Sequence, residues 1–380
     1  MTIDTVLEQI LELARWAPSG DNTQPWRFEI LDARRLVVHG FDTRSHCVYD
    51  LDGHPSQISL GALLESMAIA ASAFGLVMQA QRRASLPDTR PTFDIVFSEQ
   101  AGLVADPLAA FILQRSVQRR KLSTRSLRSS EKNALAAALP VDFRVLWLEG
   151  FRKRWASAML MSNNARLRLT MPEAHKVHRA VIEWNAQFSR DRIPDQALGV
   201  DPLTARLMRW IMQSWRRVDF FNTFLAGTVA PRLQMDVIPG LSCAAHFVLL
   251  AEERPYGIDD YVAAGRAVQR FWLTATQLGL QLQPELTPLI FSRYVRDARI
   301  FSATEGMQED ARELSQQCAA LIGAERLERA VFMGRIGAGP AARARSTRRP
   351  LADLILSKNL GPGPKAEPDH YHDSGQDAIR

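Results

Sequence analysis

Ala17-Pro18-Ser19-Gly20-Asp21-Asn22-Thr23-Gln24-Pro25-Trp26-Arg27-Phe28 is the stretch on which the reading of this 380-residue chain turns. Before it, Val6, Ile10, Leu11, Leu13 and Ala14 recur at helical spacing. After it, Phe28-Glu29-Ile30-Leu31 has the apolar-rich composition of a strand. Pro18 and Gly20 stop the helix, and Ser19, Asp21 and Asn22 carry short polar side chains suited to turns. Pro25 keeps the chain extended ahead of Trp26. Local chemistry leaves two uses open: a plain helix-to-strand corner, or a polar turn that offers backbone N–H groups and small donors to a planar ligand.

Working outward, a second strand is expected at Arg35–Gly40, and a polar segment (42–55) leads to a long helix from near Ser56. From Gly61 to Leu76 that helix is nearly all small and apolar, so it should be buried on most sides, with Gly75 as its C-terminal cap. Strands follow at 77–82 and 92–97. Pro107 stands in the first turn of a helix expected to run on through Gln114-Arg115-Ser116-Val117-Gln118-Arg119-Arg120-Lys121. Next come a helix at 130–138, a strand at 143–148 and three helical patterns over 151–225. The last of these, 203–224, interleaves Trp210, Trp215, Phe220, Phe221 and Phe224 with Arg206, Arg209, Arg216 and Arg217. It reads as a packing helix with solvated arginines, a lid over a ligand, or a membrane-surface helix. Strands at 246–251, 280–282 and 329–336 and helices at 259–278 and 308–322 complete the pattern. Gly337-Ala338-Gly339-Pro340 breaks it before Arg343, Arg345, Arg348 and Arg349. A tail at 359–380, with His370 and His372, lacks apolar periodicity and is expected to be disordered.

The chain is 46% hydrophobic and 23% charged, with 47 basic against 41 acidic residues and a net charge of +6. That balance suits an anionic small ligand better than nucleic acid, which calls for a basic stripe. Cys47, Cys243 and Cys318 are odd in number and widely separated, which gives no disulfide framework and favours a reducing, cytoplasmic setting. Residues 1–20 carry Asp4, Glu8 and Glu12 and no secretory apolar core, and no run is long enough to span a membrane. His175 and His178 are read as a surface pair, since no third metal ligand is near. Nucleophile elbow, Walker loop and dinucleotide G-x-G-x-x-G are all absent.

Two stretches of the chain resemble each other. Gly61 and Gly75 have the same spacing as Gly265 and Gly279, and Leu64/Val268, Ala71/Ala275 and Leu76/Leu280 agree in character. Each helix is followed by a short strand. This favours two copies of one α+β unit packed as a pseudo-dimer within the chain, the first over 1–105. The second would span 106–358 with a helical insertion at about 151–230.

The opening stretch resembles, at seven positions in order, the APS-x-x-N-x-QPW segment of the FMN-dependent nitroreductase superfamily. The Gly61 and Gly265 helices, residues 115–120 and Gly334-Arg335-Ile336-Gly337 add to the resemblance, which covers roughly residues 5–356. It implies an α+β nitroreductase-like FMN-binding fold of two degenerate copies. The implied subgroup is the tandem one, which includes mycobacterial flavin-sequestering proteins and nitroreductases associated with ThiF-like enzymes. A monomer or homodimer is implied, with a ThiF-like enzyme as a candidate partner.

In the family the corner lies against the flavin, which assigns Pro18, Ser19, Asn22 and Gln24 to FMN. The family's arginine-x-serine-x-basic motif assigns Arg115 to the phosphate and Arg119 to the flavin edge. Here Val117 takes the serine position; alignment on Ser116 instead puts Gln114 and Gln118 at the basic positions. The arginines after Gly339 would form the second phosphate clamp; which of Arg343, Arg345, Arg348 and Arg349 serve is open, with Arg345 and Arg348 favoured.

Since the corner stands only in the first half and the arginine motif only in the second, one FMN site per chain is expected. Two functions follow. In the first, an FMN-dependent oxidoreductase takes electrons from NADH, NADPH or another donor to a small nitro, quinone or biosynthetic substrate, without a protein nucleophile. The second is a non-catalytic flavin binder or partner subunit.

Overall fold

The computed structural model describes residues 5–356; the tail at 359–380 lies outside the described residues. The chain opens with α1 (Val6–Ala14), β1 (Trp26–Ile30), β2 (Arg35–Gly40), α2 (His54–Ser72), β3 (Leu76–Arg82) and β4 (Thr92–Glu99). A 3₁₀ turn at Pro107–Phe111 leads on to α3 (Ser129–Ala137) and β5 (Phe143–Leu148). A largely helical passage follows: α4 (Gly150–Leu169), α5 (Pro172–Val181), the short strands β6 (Ile182–Glu183), β7 (Phe188–Ser189) and β8 (Ile193–Pro194), then α6 (Pro202–Ile211), α7 (Trp215–Phe224), α8 (Val229–Arg232) and α9 (Ile238–Leu241). The chain continues with β9 (Ala245–Ala251), α10 (Ile258–Gln277), β10 (Leu280–Pro284), α11 (Thr287–Arg296), α12 (Met307–Ile322), α13 (Ala324–Arg329) and β11 (Ala330–Ala338). It closes on β12 (Arg345–Ser346) and α14 (Leu351–Leu354).

Two four-stranded antiparallel sheets carry the architecture, ordered β1-β2-β4-β3 and β5-β9-β11-β10. Their connectivity is the same: α2 joins the second and third strands of the first sheet, and α10 does so in the second. Side chains of α1 and α2 fill the first core, together with Ile258, Val262 and Leu273 of α10 and Leu351 and Leu354 of α14. Main-chain pairing fixes that last return: Leu356 N–H donates to Phe28 O at 2.8 Å. A capping box between Thr5 and Glu8 starts α1.

The two long helices meet at their glycines. A Cβ on Gly61 would lie 2.0 Å from Val262 O and 2.9 Å from Gly265 Cα. Reciprocally, a Cβ on Gly265 would lie 2.1 Å from Ile58 O and 2.9 Å from Gly61 Cα. Hence α2 is apolar on nearly every side: it packs on its own sheet and on α10 at once. Polar links flank the crossing, with Gln269 donating to Ser66 Oγ at 2.8 Å and Arg270 to Glu65 and Asp106, both at 2.9 Å.

Four expectations need correction. Residues 115–121 are extended rather than helical: Val117 bridges Leu282 and Gln118 N–H donates to Leu282 O at 3.0 Å, along the edge of β10. Arg335 Nη2 donates to the carbonyls of Gln118, Arg119 and Arg120 at 3.3, 2.7 and 3.1 Å, taking oxygens that a helix would need. The 203–224 pattern is two helices, because Met212 O accepts from His175 Nε2 at 2.9 Å instead of from the next turn. Nor does its apolar side pack along its whole length: Leu203, Leu207, Trp210, Phe220 and Phe224 are exposed, while Met212 and Val218 are buried. Finally, β11 runs on through Gly337, whose Cβ would meet Ala244 N at 3.0 Å and Leu122 Cβ at 3.1 Å, so this glycine serves close packing rather than a break.

Candidate functional site

Among the described residues, the quoted corner holds the densest run of non-glycine residues with left-handed backbone. Asp21, Asn22 and Gln24 all have left-handed φ, at 50°, 63° and 50°. Such conformations persist only where neighbours fix them. Ser19 Oγ accepts from Gln24 N–H at 3.0 Å, and Asn22 Nδ2 donates to the carbonyls of Arg192 and Thr347 at 3.3 Å each. The Gln24 side chain donates to Asn22 O and Arg190 O at 3.1 and 2.9 Å and accepts from Arg349 N–H at 2.9 Å. Gln24 is wholly buried and braces the corner from behind; it does not reach the cavity.

That cavity, of about 250 Å³, lies between the corner, the start of α2, residues 115–119, α10 and β12. It is lined by Pro18, Ser19 and Asn22 of the corner and by Arg115, Ser116, Arg119, Arg345 and Arg348. Every candidate residue except Gln24 therefore faces one space. Of the C-terminal arginines not singled out, Arg349 lies 3.5 Å from Asp191, and Arg343 faces a second cavity.

Three of these guanidiniums are buried or half-buried, and among the described residues they donate to main-chain carbonyls and to no carboxylate. Arg348 donates to Ala17 O through Nε and Nη2 at 3.0 and 2.8 Å, to Trp16 O at 3.3 Å and to Thr347 O at 2.7 Å. Arg115 donates to Trp16 O at 3.2 Å and stacks its guanidinium 4.5 Å from the Trp272 ring. Arg345 donates to Leu113 O at 3.0 Å and sits 5.0 Å from the Trp16 ring. Burial, then the charges of Arg348 and Arg345, pull Arg115 well below the ordinary guanidinium range. Burial, then Arg345 and Arg15, bring Arg348 down to about 9.

Arg119 belongs to a different end. Its Nη1 approaches Ala197 O at 3.4 Å, and burial brings it down to about 10 despite the nearby Asp21 carboxylate. Burial in turn raises Asp21, opposed by Arg119 and Arg168. The arginines of residues 115–119 thus divide: Arg115 joins the C-terminal pair, and Arg119 faces Asp21. Their shared orientation comes from the period of two in extended chain, since 115, 117 and 119 fall on one side.

Three buried polar atoms at the cavity lack any partner: Arg115 Nε, Arg345 Nε and Asn22 Oδ1. Buried cations and an orphaned acceptor of this kind are costly unless a ligand meets them. An anionic group at the Arg115–Arg345–Arg348 end and a planar polar rim at the corner fit the donor set.

Sequence reasoning missed Asp21 as a cavity residue, along with Trp272, Gln283 and the cover formed by Ile193, Ala197 and Ser346. Trp272 carried a usable signal, an aromatic in the helix paired with the α2 repeat. The cover did not, since it depends on β7 pairing with β12 in parallel across 156 residues or more of chain. Neither α6 nor α7 covers this cavity. His175 and His178 are not a surface pair: His175 is buried, and His178 bonds Tyr49 Oη at 2.9 Å. Among the described residues no group of three or more His, Cys, Asp or Glu side chains is placed to hold a metal. No helix among them is long and apolar enough to cross a membrane.

Residues 4–54 match the model of the nitroreductase family, and the match contains the whole corner. No curated protein matches the chain. Solved structures similar to it include the nitroreductase-like family protein from Bacillus cereus, at 14% identity, over 67% of this chain and 97% of that one, with a TM-score of 0.34. Another is a putative nitroreductase in complex with FMN from Desulfovibrio desulfuricans, at 16% identity, over 67% and 98%, with a TM-score of 0.30.

Proposed function

We propose that the chain is an FMN-dependent oxidoreductase with one flavin site, lying between two degenerate copies of a nitroreductase-like unit that form an intrachain pseudo-dimer. The observation that carries this reading is the convergence of three guanidiniums without a carboxylate partner on the cavity walled by the family-matched corner. The pseudo-dimer rests on the shared strand order and on the reciprocal Gly61–Gly265 contact, with halves at 1–105 and 106–358.

Arg115, Arg345 and Arg348 would hold the phosphate, and Pro18, Ser19 and Asn22 would border the ring. FMN, when bound, supplies hydride and electron transfer. The protein's own part is orientation and charge. Arg119 holds a fixed positive charge at the end of the cavity away from the phosphate clamp, where negative charge on a ring edge is favoured. Asp21 lines the same end, its carboxyl raised by burial against the opposing charges of Arg119 and Arg168. Electrons from NADH, NADPH or another donor would pass to a small nitro, quinone or biosynthetic substrate. Rapid bleaching of the flavin's visible absorbance on adding NADH or NADPH, with recovery on adding a quinone, is the expected result.

Ile193, Ala197 and Ser346 line the same cavity as the corner and narrow it, which leaves a second reading, flavin storage without turnover. A bound flavin that neither nicotinamide bleaches would select it.

A further inference from the structure

A second, larger cavity of about 840 Å³ adjoins the first and shares Val117 and Ala197 with it. Its charged lining is Arg120, Lys121, Arg206, Arg209 and Arg343, against the single carboxylate of Asp195. Asp195 is spoken for, since its Oδ1 accepts from Ala186 N–H at 3.0 Å. None of the five cations has an ion pair within 4.0 Å among the described residues; Arg120 reaches only Gln196 O, at 3.4 Å. Arg206 and Arg209 are three apart on α6 and so lie on one helical face. Arg343 comes from the segment before β12, and Arg120 and Lys121 from the extended run after Arg119. Three separate pieces of chain thus deliver five solvent-exposed like charges to one concavity, a field that concentrates anions there. The uncharged lining is small and amide-rich, with Asn185, Gln187 and Gln196 beside Ala205 and Ala341, and it has no aromatic ring.

We infer that this second cavity binds a phosphorylated small molecule, its anionic group held by Arg206, Arg209 and Arg343. Its uncharged end reaches the wall of Val117 and Ala197 that borders the first cavity. Guanidiniums suit phosphate oxygens because their donors are paired and planar. That the uncharged end meets a flavin rests on the proposed function; the anion site itself does not.

Pyrophosphate is the probe, titrated calorimetrically into the full chain after incubation with excess FMN. Saturable binding is expected, weakening as salt rises. The double variant Arg206→Gln/Arg343→Gln should lose at least tenfold in pyrophosphate affinity while retaining FMN as the parent does. Arg345→Gln, which alters only the first cavity, should leave pyrophosphate affinity within about twofold, as expected for separate sites. Unchanged pyrophosphate binding in the double variant overturns the inference, as does no binding in the parent. Capture of the parent by phosphatidylglycerol vesicles, without a pyrophosphate response, also overturns it and reassigns the basic face to a lipid surface. If the chain holds no FMN yet binds pyrophosphate through Arg206 and Arg343, the second site stands and the flavin reading fails.

Discussion

At the scale of the residue, the cavity is defined by charge that the protein leaves unanswered. Arg115, Arg345 and Arg348 are held by carbonyl oxygens of residues 16, 17, 113 and 347, which orient the guanidiniums without neutralising them. Two consequences are measurable. Asn22→Asp and Arg115→Ala should each weaken FMN retention by about tenfold or more, the equivalent of losing a charged hydrogen bond worth ~1.5–3 kcal/mol; equilibrium dialysis reads this directly. In the FMN-free protein, inorganic phosphate should raise Tm by supplying the missing anion, and in the Arg206→Gln/Arg343→Gln background, which lacks the second anion site, Arg345→Gln should remove most of that rise. The pH dependence has a definite sign. Arg348's folded value of about 9 lies below the ordinary 12.5, so its charge costs stability at neutral pH, and the cost fades as pH climbs past about 9. The phosphate-induced rise in Tm should therefore shrink above pH 9 in a series of thermal melts.

At the scale of the element, the α2–α10 crossing and the buried His246–Glu285 pair carry the predictions. Gly61→Ala would set a methyl group 2.0 Å from Val262 O, backbone that cannot swing aside. A loss of roughly 3 kcal/mol or more is expected from such overpacking, read as a lowered denaturation midpoint; a neutral variant would mean the helices do not meet as described. His246 on β9 bonds Glu285 at 2.7 Å, with both side chains buried. Burial alone would lower the imidazole, but the Glu285 carboxylate outweighs it and holds the pKa above the ordinary 6.5. The pair's contribution is thus complete below pH 6.5 and lost as pH rises through the raised value. His246→Gln should be less stable than the parent at pH 6 and converge with it at high pH.

Much at this scale was legible in the sequence. Strands β2 and β5 stand at the bounds expected from the sequence, and α10 lies within one residue of its expected ends. Residues 115–121 were misread because a basic run has no strong period of its own; the partners that straighten it, Leu282 and Arg335, lie more than 160 residues away. The break at Met212 was equally hidden, since it depends on His175 from another helix. Gln24 was legible as part of the corner, but which side of the corner it faced was not. That is set by residues 190 and 349.

At the scale of the whole molecule, two sheets of the same strand order pack through their central helices, and the segment reaching Leu356 crosses back to pair with Phe28. That return delivers Arg345 and Arg348 to the corner ahead of β1, while residues 115–119 arrive along the edge of the second sheet. In the proposed pseudo-dimer, a site drawn from both halves would account for each half carrying only part of the expected residues. The measurement that bears most directly on this is the flavin stoichiometry of the purified full chain, saturated with FMN and freed of excess, from absorbance and protein mass. One FMN per chain is predicted. No retained flavin, or two per chain, would contradict the account.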